Sequence, residues 1–243
     1  MSKPMKKAGF RQGIMAISST AKEAIGTERV LSDGRAFVYS KAGASALGAG
    51  KMGIAATIAS GHVNQASVAA AVGTKQLTLT VTTGTALAEN QLAGGFLQIN
   101  DAAGEGIQYP IESNTVLASD GTEISINLEE GIQVALTTDS EFTLAHNPNY
   151  GVIENDDEES LPVGIPPVAV TAAYYYWAQK RGPALALVNG TPAVGTMLTL
   201  GATPAGALVA INATLDIDQP VCAVAWGTVG VSGEYKPVKL LLN

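Results

Sequence analysis

The chain has a single cysteine, Cys222, so no intrachain disulfide can form. That residue sits in the apolar run Val221-Cys222-Ala223-Val224-Ala225, with no basic neighbour to lower its thiol pKa, and reads as core filler. There are two histidines, His62 and His146, and neither has a cysteine or carboxylate at zinc-ligand spacing. Both read as loop or core histidines. No Gly-x-Ser-x-Gly elbow occurs. Gly48-Ala49-Gly50-Lys51-Met52-Gly53 carries a Gly-Lys pair but lacks the hydroxyl residue that a phosphate loop places after the lysine. No apolar stretch approaches the ~20 residues of a membrane-spanning helix. Lys3, Lys6 and Lys7 imitate the start of a signal peptide, but the following apolar run, Ile14–Ile17, is too short. The expectation is therefore a chain made in a cytoplasm, with no membrane partner. Charge is also scarce: charged residues are 14% of the chain, against about 25% in a typical globular domain. A weakly charged surface costs little to desolvate against another protein.

What charge there is falls unevenly. Residues 1–51 hold nine of the fourteen basic residues and three acids, a formal +6. The remaining five bases face eighteen acids, a formal −13. A basic leading segment on an acidic body points to an arm that docks on something acidic while the body faces outward. The 27 glycines, the many alanines and threonines and an apolar fraction of 47% fit a rigid β protein that packs against neighbours.

Residues 1–61 read as an extended arm and docking segment. Pro4, Gly9, Gly13 and Gly26 interrupt helical periodicity, leaving room for one short helix near residues 21–29. Asp33-Gly34 marks a turn before a strand at Arg35–Ser40. The Gly- and Ala-rich residues 42–61 read as extended chain pressed close to a neighbour.

Residues 62–150 read as a first β block. Gln76–Thr82 alternates strictly, with Leu77, Leu79 and Val81 on one face. Similar alternation recurs at residues 96–99, 123–128 and 132–136, with Asp120-Gly121 and Gly104-Glu105-Gly106 as turns. Residues 151–167 combine the acidic run Glu154–Glu159 with Pro162, Pro166 and Pro167, and read as a linker or exposed loop. The acids are consecutive, so extended chain would splay them apart, and a solvated loop is favoured over a calcium site. Residues 168–243 read as a second β block. Its first strand spans Val168–Trp177, strands at Pro183–Val188 and Thr196–Leu200 form a close pair, and the tail ends as a paired strand. The fold expected is mainly β: two sandwich- or barrel-like blocks behind a basic N-terminal arm.

The most unusual local feature is Tyr174-Tyr175-Tyr176-Trp177. In a strand, alternate rings point to opposite faces. Either the strand is buried on both sides, or one pair of rings is free for a subunit interface or a glycan platform. An acidic body argues against nucleic acid at this position.

The segment Asp33–Gly43 with its Ala/Gly tract, and the segment Tyr176-Trp177-Ala178-Gln179-Lys180-Arg181-Gly182-Pro183-Ala184-Leu185-Ala186-Leu187-Val188-Asn189-Gly190-Thr191-Pro192-Ala193-Val194-Gly195, resemble structural proteins of tailed double-stranded DNA bacteriophages. The likeness is to the head decoration, or cement, proteins. It covers both ends of the chain and implies a non-enzymatic virion component. Such proteins bind the outside of a capsid lattice, often as trimers, and resist the pressure of packaged DNA. The resemblance carries over no catalytic residue, metal ligand or cofactor. The partners it implies are the major capsid protein and other copies of this chain. The location it implies is the capsid exterior.

On this reading the capsid-facing residues are Lys3, Lys6, Lys7, Arg11, Arg35, Phe37, Tyr39 and Lys41, and the subunit contact is built by Tyr174, Tyr175, Tyr176 and Trp177. Removing residues 1–30 is expected to leave a folded body that no longer decorates heads. A tail- or fibre-associated component and a carbohydrate-binding module built on Trp177 are the alternatives.

Overall fold

The computed structural model describes residues 9–82, 86–156, 160–211, 219–227 and 230–242. Its described residues form sixteen strands and one short 3-10 turn, so the protein is all-β. The chain divides into two units. Unit 1 comprises residues 1–56 and 148–243, and unit 2 comprises residues 57–147.

The chain opens in unit 1 with β1 (Glu28–Val30), β2 (Ala36–Ala42) and β3 (Gly53–Ile54). Unit 2 then supplies β4 (Gln65–Ala66), β5 (Gln76–Thr80), β6 (Phe96–Asp101), β7 (Gln108–Asn114), β8 (Glu123–Leu128) and β9 (Glu141–Ala145). The chain returns to unit 1 for β10 (Tyr150–Glu154), β11 (Pro162–Gly164), β12 (Tyr175–Val188), β13 (Met197–Gly201), β14 (Ala207–Ala210), β15 (Ala223–Ala225) and β16 (Glu234–Leu241).

In unit 2 the strand order is β4-β9-β6-β7-β8-β5, antiparallel throughout. The two ends of this sheet approach each other. The Thr82 N–H donates to the Gly61 carbonyl at 3.1 Å, and the Thr82 hydroxyl donates to Gln65 Oε1 at 3.0 Å, so the sheet nearly closes into a barrel. The alternation read from the sequence sets its inside. Leu77 and Leu79 of β5 and Ile124, Ile126 and Leu128 of β8 join Phe142 and Leu144 in one buried cluster. Fully burying each such side chain contributes about 1.5–3 kcal/mol.

In unit 1 the order is β11-β3-β10-β2-β12-β14-β13-β15-β16, and β16 pairs back with β12. That last pairing closes β12, β14, β13, β15 and β16 into a five-stranded barrel, filled by Val188, Leu198, Leu200, Leu208, Val238 and Leu240. The fourteen residues of β12 serve two partners in succession. Tyr175–Arg181 lie antiparallel to β2, and Arg181–Val188 lie antiparallel to β16. One strand therefore joins the open sheet to the barrel.

Several expectations need correction. Beyond residue 9 the N-terminal segment is not an arm: β1 and β2 belong to the sheet of unit 1, and β2 is central to it. Residues 21–29 form turns leading into β1 rather than a helix. The expected linker 151–167 holds most of β10 and all of β11, because their backbone groups pair with β2 and β3. The long aromatic strand starts at Tyr175, after a turn whose Tyr174 N–H donates to the Thr171 carbonyl. The segments 183–188 and 196–200 are not a direct pair, since β14 lies between β12 and β13. The Gly/Ala tract does lie close to a neighbour: a Cβ on Gly43 would stand 2.9 Å from the Gly151 carbonyl oxygen. The tail ends as β16, paired on both sides.

Candidate docking face on unit 1

The aromatic run is buried on both faces of its strand. Tyr176 and Trp177 are inaccessible to solvent, and Tyr174 and Tyr175 are half-buried. Tyr176 packs among Val38, Val152, Val163 and Val170. Trp177 packs on the other side, with Phe37 and Tyr39. The segment around residues 10–18 covers that second side. Phe10 meets the Trp177 ring edge-on at 5.2 Å, the Arg29 guanidinium lies 4.9 Å from the Phe10 ring, and the Trp177 indole N–H donates to the Gln12 carbonyl at 3.0 Å. The Gln12 side chain accepts from the Tyr39 hydroxyl at 2.7 Å and donates to the carbonyls of Ala16 and Tyr175. Burial raises the Tyr39 phenol above its ordinary pKa. The Tyr176 hydroxyl, wholly buried and without a hydrogen-bond partner among the described residues, is raised much further.

A glycan platform on Trp177 is therefore absent, and Tyr176 and Trp177 have no surface to give a subunit contact. Phe37 and Tyr39, expected to face a capsid, are core residues for the same reason. Removing residues 1–30 would strip away Phe10, Gln12 and β1 and uncover Trp177, so that deletion does not leave an intact body.

Of the basic candidates, Lys3, Lys6 and Lys7 lie outside the described residues. Arg11 is exposed, and its backbone N–H donates to Glu23 Oε1 at 2.6 Å. Arg35 is paired with Asp33 at 2.8 Å. Lys41 donates to the Tyr150 hydroxyl at 2.9 Å and lies 4.5 Å from that ring's centre. The acidic run is also partly engaged. Glu154 accepts from the Gly48 N–H at 2.6 Å and pairs with Lys51 at 2.8 Å, while residues 157–159 lie outside the described set. Among the described residues no group of three or more His, Cys, Asp or Glu is placed to hold a metal ion. Cys222 is buried, and its thiol is pushed up to about 12 by desolvation.

A feature the sequence did not announce is a cleft of about 730 Å³ on unit 1. Its walls include Met15, Arg35, Pro166, Leu185, Trp226 and Tyr235. Trp226 is 61% exposed and Leu185 57%, although both are large apolar side chains. Gly50 forms part of the floor with φ +73°, and a Cβ there would fall 2.7 Å from the Tyr235 ring. Glycine thus lets the tyrosine ring approach the backbone closely. The cleft opens onto the outer face of the barrel, where β12 and β16 present alternate residues. Leu185 stands opposite Pro237, Pro183 opposite Lys239, and Arg181 opposite Leu241. All six are exposed. The period-2 pattern of β16 carried part of this signal. Met15, Arg35 and Pro166 come from remote segments and could not be placed by pattern.

The charge imbalance resolves by unit. Unit 2 carries one base, Lys75, against ten acids, a formal −9. Unit 1 carries thirteen bases against eleven acids, a formal +2. Nine of the ten unit 2 acids are exposed, and the three salt bridges among the described residues all lie in unit 1. Comparison with models of known families, with characterised proteins and with solved structures found no match to this chain.

Proposed function

We propose that the chain is a non-enzymatic virion structural protein of a tailed double-stranded DNA phage, a decoration protein that binds the outer surface of the capsid lattice. It acts as a homotrimer with the major capsid protein as its partner. The family assignment rests on the resemblance of residues 33–43 and 176–195. The observation that carries the docking role is the partition of charge and apolar surface between the units. Unit 2 is strongly acidic with its carboxylates in water, which keeps a surface hydrated and resists association. Unit 1 is close to neutral and exposes Trp226, Tyr235, Leu185 and Met15 around one cleft. Contiguous apolar surface of that kind is the usual mark of a binding face. Repetition across a lattice multiplies even a weak single contact.

The test is co-sedimentation of purified protein with phage heads that lack decoration, together with light scattering of the free protein. Decoration predicts saturable pelleting with heads and a free particle of three times the 24.8 kDa chain mass. Protein that stays in the supernatant with heads but pellets with isolated tails would move the assignment to the tail.

A further inference from the structure

We infer that the unit 1 cleft is a peptide-docking groove. Its occupant is an extended, proline-bearing, net-acidic segment of a partner protein, bound between Trp226, Tyr235 and Leu185 and steered by Arg181 and Lys239. The identity of the partner as the lattice protein rests on the decoration reading. The chemistry of the occupant rests on the cleft.

The cleft, about 730 Å³ in volume, is an open groove rather than a closed cavity, a shape suited to an extended chain. The lining is dominated by an indole, a phenol ring, prolines and aliphatic side chains. Grooves walled by aromatic rings favour polyproline II segments, because such a segment is already extended and loses little entropy on binding. A sugar would need several convergent donors and acceptors. The polar side chains here are largely committed: Gln179 donates to the Arg181 and Pro183 carbonyls, and Arg35 is held by Asp33.

Charge then selects among peptides. Arg181 and Lys239 are exposed on the outer face, two residues apart in register across β12 and β16, and neither forms a salt bridge among the described residues. Glu234, beside Tyr235, accepts from the Val231 N–H. The same face of a second copy would bring like charges together, so the complementary occupant is acidic.

The two tryptophans make the test direct. Trp177 is buried and Trp226 exposed, so a blue shift of emission on binding reports Trp226. The probes for the full-length protein are a synthetic peptide of repeated Asp-Leu-Pro-Pro, its counterpart with Lys in place of Asp, and a hexasaccharide. The expected result is a saturable blue shift with the acidic peptide alone. Affinity, read by titration calorimetry because Trp226→Ala removes the emission reporter, should fall at least about tenfold in Trp226→Ala and Leu185→Lys. It should fall at least about fivefold in Lys239→Glu, which leaves the apolar wall intact and flattens the salt dependence. No shift with the acidic peptide at about 1 mM, an equal response to the lysine peptide, or a shift with the hexasaccharide would overturn the inference. Heads separate the two readings. If Trp226→Ala pellets with heads as wild type does, the groove does not hold the lattice protein and decoration stands. If wild type binds the peptide but no heads, decoration is wrong and the groove stands.

Discussion

The indole N–H of Trp177 donates to the backbone carbonyl of Gln12, a residue 165 positions earlier, at 3.0 Å. The same Gln12 accepts from the Tyr39 hydroxyl through its side chain. A short polar residue in the N-terminal segment thus fastens the cover over the aromatic core of unit 1. Gln12→Ala should cost about 1–3 kcal/mol, because it leaves the buried Tyr39 hydroxyl without its acceptor. Urea denaturation followed by tryptophan emission measures this, and an unchanged midpoint would show that the Gln12 side chain contributes nothing.

Tyr176 presents the opposite case. Its hydroxyl is buried without a partner among the described residues, so it bears a desolvation penalty with no bond in return. Tyr176→Phe should be neutral or stabilising. A loss of more than about 1 kcal/mol in the denaturation midpoint would mean the hydroxyl does have a partner.

Unit 2 is inserted between β3 and β10, which lie antiparallel with Ile54 opposite Ile153. The two points where the chain leaves and rejoins unit 1 are therefore neighbours. Replacing residues 57–147 with a short Gly-Ser turn should leave unit 1 folded, with near-native Trp177 emission and a cooperative transition. Residues 57–147 alone should fold as well. With a formal −9 and few cations, that piece should gain stability as sodium chloride is raised from about 0.02 to about 0.5 M. A flat response to salt would show that its acids do not repel one another appreciably.

Cys222 should be silent in the native state. It is buried, and desolvation pushes its thiol up to about 12, so almost no thiolate exists near neutral pH. A thiol reagent at pH 7–8 should label the protein only on unfolding, at a rate that tracks denaturant concentration. Rapid native labelling would place the residue at the surface.

Much of the fold was legible because unit 2 obeys its local pattern. The alternation of Gln76–Thr82 and Glu123–Leu128 named the buried residues of β5 and β8 directly. Unit 1 was less legible because its pairings are remote. Nothing local in Arg35–Ala42 shows that it will lie beside Tyr175–Arg181. Acidic residues and prolines made 151–167 look like a linker, yet the backbone there pairs with β3, and Glu154 is offset by Lys51. For Tyr174–Trp177, alternation gave the two faces correctly and could not say that both are covered, since the cover comes from Phe10 and Gln12. Trp226 follows the apolar run Val221–Ala225, yet it is the most exposed large ring of unit 1.

The wide sequence gap between β2 and β12 also bears on how the chain emerges from a ribosome. At about 5–20 residues per second, Phe37 and Tyr39 are synthesised on the order of ten seconds before the strand that pairs with them. Throughout that wait the nascent chain carries an aromatic strand without its β12 partner, a hazard for aggregation. Unit 2 is contiguous and antiparallel, and its sheet nearly closes on itself, so it can finish folding during the delay. Its ten carboxylates are then carried on the same nascent chain as the sticky segment, an intramolecular solubiliser until the later strands arrive.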